Sequence, residues 1–372
     1  MIKKVKILQA IRQGKIGGGE THVLDLVNNL DPTYYESVIL SFTEGPMVDK
    51  LRADGFKTYV IHTEKPFNFN VWKKVKELII NENIDIIHAH GTRASSNTFS
   101  SASALGIPLI YTVHGWSFHP DQNLLVKMIR TWSERLLVKV ADVTLCVSHS
   151  NLADGKMRFP MPNARVILNG INQIKFNPDQ IYNDLRNELK ILPDEVIVGY
   201  IARVTIQKDP LTFINAISKV PDDLKIKFLF VGDGDLKQEA LRLARELQLE
   251  SKIIFLNFRE DVPAILNCID IYCLPSLWEG LPIGVLEAMA MRKAVIATAI
   301  DGTKEIIDDH KNGLLIPVRS PEALAKAIIS LSQNHELRTS LGIEAGKTIK
   351  NNFNVKQMTS NIEVVYKSLL NK

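Results

Sequence analysis

Apolar positions along this chain follow two alternating rhythms. Short runs rich in branched residues occur at 5–10, 37–42, 57–61, 84–89, 109–113, 143–147 and 165–168. Near-continuous apolar runs of this length fit strands of a parallel sheet buried on both faces. Between them, 20–30, 71–81, 98–105 and 124–140 carry apolar residues at helical spacing. After Asn169-Gly170, residues 172–179 turn polar and include Pro178, the composition of a linker. The alternation then resumes. Strands are expected at 196–201, 225–231, 253–255, 271–274, 294–297 and 314–316. Helices are expected at 211–218, 236–247, 262–268, 283–291, 303–307 and 321–332. Alternating strand and helix predicts doubly wound α/β architecture, here two such domains in tandem, 1–170 and 171–354.

Composition agrees with this division. A chain of 372 residues exceeds what one hydrophobic core usually serves. A net charge of +4 is too small to indicate a nucleic-acid partner, and none is expected. No apolar run is long enough to span a membrane, and the basic Met1-Ile2-Lys3-Lys4 leads into a strand-like run with no cleavage pattern. Cys146, Cys268 and Cys273 lack metal spacing and read as buried thiols of a reducing compartment, so a cytoplasmic location is expected.

In parallel sheets ligands bind beyond the carboxyl ends of the strands, so polar residues just after strands carry the candidate chemistry. Gly14-Lys15-Ile16-Gly17-Gly18-Gly19-Glu20 joins the first strand to a helix. It is either an anion-binding turn at a helix N-terminus or a plain flexible connection. Its spacing is not that of a dinucleotide fingerprint. His88 and His90 share one face of their strand, and His114 ends the next, followed by Gly115, Trp116, Phe118 and His119. A metal there needs a third ligand and supporting outer-shell groups, and none is expected. His88 fits an ordinary hydrogen-bonded role, whereas His114 and its aromatic neighbours suit a sugar ring.

In the second half, Arg203 and Lys208 share one strand-to-helix loop, where two cations can offset a diphosphate or stand solvated. Gly232-Asp233-Gly234-Asp235 permits a tight turn against a nucleotide. Asp235 reads as a helix cap in preference to a metal ligand. Glu279 precedes a helix opened by Pro282, and Glu287 lies within that helix. Amides around Leu281, Ile283 and Gly284 are then available to an anion.

The string Pro275-Ser276-x-x-Glu279-Gly280-Leu281-Pro282, with Glu287 eight positions after Glu279, resembles the E-x7-E motif of retaining glycosyltransferase family 4. Gly17-Gly18-Gly19-Glu20, His88-Ala89-His90, Thr112-Val113-His114-Gly115, Arg203 to Lys208, Val231-Gly232-Asp233-Gly234 and Gly302-Thr303-x-Glu305 follow in the family's order over nearly the whole chain. The resemblance implies a GT-B fold of two Rossmann-like domains facing a central cleft. It implies an acceptor-side domain 1–170, joined by a final helix Val355–Leu370, and a nucleotide-sugar domain 171–354. It implies no cofactor and no metal, with a UDP-sugar as donor. Glu287 would then bind ribose and Glu279 the donor sugar. Arg203 and Lys208 would neutralise the leaving diphosphate, His114 would sit by the sugar, and Gly17 and Gly18 near the reacting centre. Loss of Lys208 should lower turnover more than it disturbs folding. Asp301, Phe258, Arg292 and Lys293 depart from the family pattern.

The acceptor stays open among saccharide, lipid-linked and small-molecule classes. The basic residues of Leu124–Val140 and of 71–80 fit either a solvated helix face or peripheral contact with the inner face of an anionic plasma membrane. A nucleotide-sugar epimerase, a sugar phosphorylase, a dinucleotide-dependent oxidoreductase and a non-catalytic binder are the competing readings.

Overall fold

The computed structural model describes residues 3–15, 17–119 and 121–370. Met1 and Ile2 of the basic start and Ile16 of the glycine loop lie outside them. The chain divides into two compact units, Met1–Gly170 with Val355–Lys372, and Ile171–Asn354.

The first unit runs β1 (Val5–Ile11), α1 (Gly18–Asn29), β2 (Tyr35–Ser41), α2 (Pro46–Ala53), β3 (Lys57–Val60), α3 (Phe69–Glu82), β4 (Ile86–His90), α4 (Thr92–Leu105), β5 (Leu109–Val113), α5 (Leu124–Val140), β6 (Val143–Cys146), α6 (His149–Lys156) and β7 (Ala164–Val166). Its seven strands are parallel, in the order β3-β2-β1-β4-β5-β6-β7.

The second unit runs α7 (Leu185–Glu188), β8 (Val196–Ile201), a 3-10 turn (Ile206–Lys208), α8 (Pro210–Ile217), β9 (Ile226–Val231), α9 (Lys237–Glu246), β10 (Ile253–Leu256), α10 (Val262–Cys268), β11 (Ile271–Leu274), α11 (Ile283–Ala290), β12 (Ala294–Thr298), α12 (Asp301–Lys304), β13 (Leu314–Ile316), α13 (Pro321–Gln333) and α14 (His335–Asn352). Its parallel sheet has the order β10-β9-β8-β11-β12-β13.

The last helix, α15 (Val355–Leu370), belongs to the first unit. Its Met358, Ile362, Val365, Tyr366 and Leu369 pack with Ile7, Leu26, Ile86 and Ile110 in one buried cluster. A helix that presents apolar residues at three- and four-residue intervals buries one stripe, and here that stripe closes a face of the sheet.

In both sheets the strand order reverses beside the first strand of the unit, between β1 and β4 and between β8 and β11. Such a reversal leaves a crevice at the strand ends, because the flanking connections leave toward opposite faces. The glycine loop follows β1 and His90 ends β4; Arg203 and Lys208 follow β8 and Glu279 follows β11. The candidate residues therefore gather at the switch point of each sheet.

Four helices, α2, α6, α7 and α14, were not expected from the periodicity. The 18-residue α14 buries only Leu341, Gly342, Ala345 and Ile349, so it carries almost no apolar rhythm. Gly342 is seated where a side chain would strike the Arg292 carbonyl at 2.2 Å, so close backbone approach holds this helix. The helix expected at 303–307 is instead α12, at Asp301–Lys304. The Thr303 hydroxyl accepts from the Ile300 amide and donates to the Thr298 carbonyl, starting the turn early.

Candidate active site

In the second unit, Lys208 and Glu279 meet directly as an ion pair. Their side chains are 15% and 6% exposed, so the pair is shielded from water. Ser276 Oγ donates to Glu279 Oε1 at 2.7 Å, and Gln207 Nε2 donates to Oε2 at 3.3 Å. Gln207 also fastens the two loops, donating to the Trp278 carbonyl at 2.9 Å and accepting from the Leu277 amide at 2.8 Å. Asp209, in left-handed backbone, turns the chain after Lys208 and accepts from Thr212 N to cap α8. The lysine is thereby placed by a turn and a cap, and the glutamate by three donors.

Glu287 lies in α11 beyond this pair. Burial, then Glu287 and Glu279, raise the Tyr272 hydroxyl well above its ordinary pKa, so both carboxylates act on this one phenol. Tyr272 donates to the Ile201 carbonyl at 3.2 Å, and a side chain at Gly284 would meet its oxygen at 2.5 Å. Leu281 and Ile283 are buried, and Pro282 stands as the N-cap of α11, one position before the expected first turn. The amides of Ile283 and Gly284 open the helix, where no preceding turn supplies acceptors. Arg203 lies in the same β8 loop as Lys208, and both it and Glu287 have partners of their own.

Gly232 and Gly234 have φ of +144° and +156°, and a side chain would strike the carbonyls of Ala202 and Val204 at 2.0 and 2.3 Å. These glycines let the β9 loop lie on the Arg203 loop, with Val204 N donating to the Asp233 carbonyl at 3.0 Å. Asp235 does not cap α9, as the sequence had suggested; the N-cap is Leu236, with no side-chain bond. Asp233 is held by Lys237 and by the Phe258 amide, so its carboxylate is already neutralised. Of the other departures, Arg292 forks onto Asp179 at 2.9 and 3.0 Å, and Lys293 bonds the Asn267 carbonyl at 3.1 Å.

Gly302 supports the glutamate loop from below. A side chain there would meet the Gly280 carbonyl at 2.3 Å and that of Glu279 at 3.0 Å. Gly302→Ala is therefore expected to push Glu279 out of register and to lower kcat/KM by about 100-fold, the scale of a misplacement near one ångström. Steady-state kinetics beside a thermal melt would check this.

In the first unit, Gly17 is the N-cap of α1 in extended backbone and Gly18 begins the helix. The loop is tied to the next strand end, Gly14 N donating to Thr43 Oγ1 at 3.0 Å. The first turn carries its own buried carboxylate, Glu20, 3.5 Å from Arg12. At Gly19 an added carbon would stand 3.3 Å from the His114 ring, so the glycine loop and His114 are brought together.

His114 heads a chain of polar contacts: His114 Nε2 to His90 Nδ1 at 3.2 Å, His90 Nε2 to Gln9 Oε1 at 2.9 Å and Gln9 Nε2 to the Tyr366 hydroxyl at 3.0 Å. It continues from Tyr366 to His88 Nδ1 at 2.7 Å and from His88 Nε2 to Thr112 Oγ1 at 2.6 Å. The Gln9 oxygen accepts, so His90 carries its proton on Nε2 and accepts from His114, while Gln9 Nε2 donates to the Tyr366 oxygen. Burial, reinforced by the neighbouring rings, keeps His88, His90 and His114 well below the ordinary imidazole pKa, and His22 is lowered to about 4 by burial. The rings are therefore neutral near pH 7, as the chain of contacts requires. Tyr366→Phe leaves two buried partners unmatched and is expected to destabilise the first unit by about 1–3 kcal/mol. Calorimetry should show its transition fall by several degrees.

The aromatic platform expected beside His114 is corrected. Trp116 and Phe118 stack at 5.3 Å, pack edge-on against Phe159 and are buried. The Trp116 indole donates to the Asn151 carbonyl. They are core, because the chain turns inward after Gly115. Sequence reasoning missed His22, Gln9, Asn169, Gln207 and Tyr366. The signals were present: Gln9 is a lone amide in an apolar strand, and His22 falls in the first turns of the glycine-loop helix.

Similarity to known proteins bears on the family and the fold. The family model for glycosyl transferases group 1 matches residues 182–348, and that for Glycosyltransferase Family 4 matches 16–173. Escherichia coli UDP-Gal:alpha-D-GlcNAc-diphosphoundecaprenol alpha-1,3-galactosyltransferase is 25% identical over 380 residues, covering 98% of this chain and 97% of its own. Bacillus anthracis N-acetyl-alpha-D-glucosaminyl L-malate synthase is 26% identical over 322 residues, covering 84% and 82%. The crystal structure of Anabaena HepE in complex with UDP and glucose superposes with a TM-score of 0.87 at 20% identity, covering 98% of this chain and 100% of that one. With both models falling on the two parallel-sheet units, the chain belongs to the group 1 and family 4 glycosyltransferases and has the GT-B fold.

Proposed function

We propose that this enzyme transfers a hexosyl group from a UDP-sugar to a lipid-linked saccharide, with retention at the anomeric carbon. The observation that carries the reading is the shielded Lys208–Glu279 pair at the sheet switch point, with Arg203 in the same loop. An ammonium has three donors, so Lys208 can keep Glu279 and still offer two to a diphosphate. Arg203 adds a fork suited to phosphate oxygens. Charge developing on the leaving diphosphate is then met by groups already in place. Glu287 takes the ribose hydroxyls, Glu279 the sugar hydroxyls, and the Ile283 and Gly284 amides a phosphate oxygen. His114, Gly17 and Gly18 serve the sugar and the reacting centre.

Glu279 is not the nucleophile. Its two oxygens accept from Lys208, Ser276 and Gln207, which lowers their reactivity. Retention then follows same-face attack, the departing diphosphate taking the acceptor proton. UDP is favoured because HepE is described with UDP and the Escherichia coli relative uses UDP-Gal. The lipid-linked acceptor is favoured by that relative's diphosphoundecaprenol substrate and by α5, whose Leu124, Leu125, Met128, Ile129 and Trp132 are exposed. No helix among the described residues is long and apolar enough to cross a membrane, so α5 would bind at the inner leaflet surface.

The test incubates the enzyme with a panel of nucleotide sugars, with and without a polyprenyl-diphosphate sugar, in chelator. Acceptor-dependent UDP release with an axial product linkage by NMR is the expected result. Turnover of donor alone into an epimer, or activity only after magnesium is restored, would overturn the reading.

A further inference from the structure

We infer that His22, His90 and His114 form a binding site for one divalent transition metal of the zinc class. One ring nitrogen from each lies within 4.8 Å of the others. The third imidazole comes from α1, in the helix that the glycine loop opens.

The outer shell fixes which nitrogens are bare. His22 Nδ1 lies 2.9 Å from Asn169 Oδ1, which accepts, so the proton sits on Nδ1 and the lone pair on Nε2. That Nε2 is buried, has no hydrogen-bond partner and belongs to a side chain 3% exposed. A bare acceptor shut away from water is costly unless something binds it. His90 Nε2 is held in the same way by Gln9 Oε1, leaving Nδ1 bare and facing His114. Two of the three ligands are thus oriented by carboxamide oxygens, the outer-shell arrangement that sets metal-binding histidines. The third needs only a tautomer change: the His114 proton moves from Nε2 to Nδ1, and Nε2 turns its lone pair inward. The ring centroids, 4.8 Å between His22 and His114 and 5.5 Å from His90 to each, allow closure by side-chain rotation.

Three neutral nitrogens with no carboxylate among them select zinc, cobalt, nickel or copper over magnesium or calcium. The metal takes no part in the transfer. It occupies His114, so zinc inhibits the activity proposed above; that consequence alone rests on the proposed function.

The test uses the untagged full chain, stripped with chelator, without donor or acceptor. Cobalt titration should give the visible bands of a low-coordinate nitrogen site at one equivalent, displaced by zinc. Competition with a chromophoric chelator should show the His22→Ala and His90→Ala variants losing this site and Asn169→Ala binding 10–100-fold more weakly. Thermal melts confirm that each variant is folded, and His22→Gln serves if His22→Ala is not. Absence of cobalt bands, or equal zinc binding by folded His22 variants, overturns the proposal whatever the transferase assay shows. Zinc binding at the triad without loss of transfer would overturn only the inhibitory consequence.

Discussion

Lys208→Ala should lower kcat/KM by two to three orders of magnitude. That is the scale seen when one preorganised donor to a developing negative charge is removed. The sequence suggested that turnover would suffer more than folding. The shielded pair revises this expectation to two effects of comparable size. Lys208 and Glu279 are paired at 15% and 6% exposure, and breaking a buried pair from one side typically costs about 3–5 kcal/mol. Glu279 keeps Ser276 and Gln207 as donors, which places the cost toward the lower end. The single variant should therefore lose stability and activity together, and a double variant separates them. Lys208→Met with Glu279→Gln removes both charges while retaining much of the volume, and such exchanges are often neutral. Chemical denaturation should show the double variant recovered to within about 1 kcal/mol of the parent. Steady-state kinetics should show no recovery of kcat/KM. A folded single variant with full activity would remove Lys208 from the mechanism.

This pairing also explains what the chain disclosed in advance. The short apolar runs and the period-3.6 rhythm belong to local structure, and β8, β11, β13, α5 and α10 begin and end where they were expected. The glutamates were legible because their spacing sits on a strand, a loop and a helix that are contiguous in the chain. Their partners were not. Ser276 is three residues from Glu279, but Gln207 and Lys208 are more than seventy away and meet it only through the β8–β11 neighbourhood. The same holds for Tyr366, which reaches Gln9 across 357 positions. Trp116 and Phe118 failed for the opposite reason. Aromatics beside a candidate histidine look the same in sequence whether they face a ligand or the core, and only packing against Phe159 separates the two.

The second large effect concerns α5. Substituting Leu125, Met128, Ile129 and Trp132 together with serine should reduce binding to anionic vesicles by roughly a thousandfold. These residues are 57–74% exposed together with Leu124, although each is apolar, and they recur at i, i+3, i+4 and i+7. An apolar stripe held in water this way marks a surface used for contact. The opposite side of the helix is anchored. Glu134 is fully buried and accepts from Thr92, the Tyr111 hydroxyl and the Ser117 amide, so α5 cannot roll its apolar stripe inward. Each of the four side chains gains about 1 kcal/mol on entering the acyl boundary, so their joint loss is about 4 kcal/mol. Lys127, Arg130, Arg135 and Lys139 on the same helix add attraction to anionic headgroups that salt should weaken. Vesicle pelleting over a salt series distinguishes the contributions: the serine variant should lose the salt-resistant part and keep the salt-sensitive part. Because the substitutions touch no residue of either switch point, transfer to a short water-soluble acceptor should be unchanged while transfer to a membrane-embedded one falls. Equal pelleting of parent and variant would make the exposed stripe a surface for some other partner and leave the lipid-linked acceptor without its docking face.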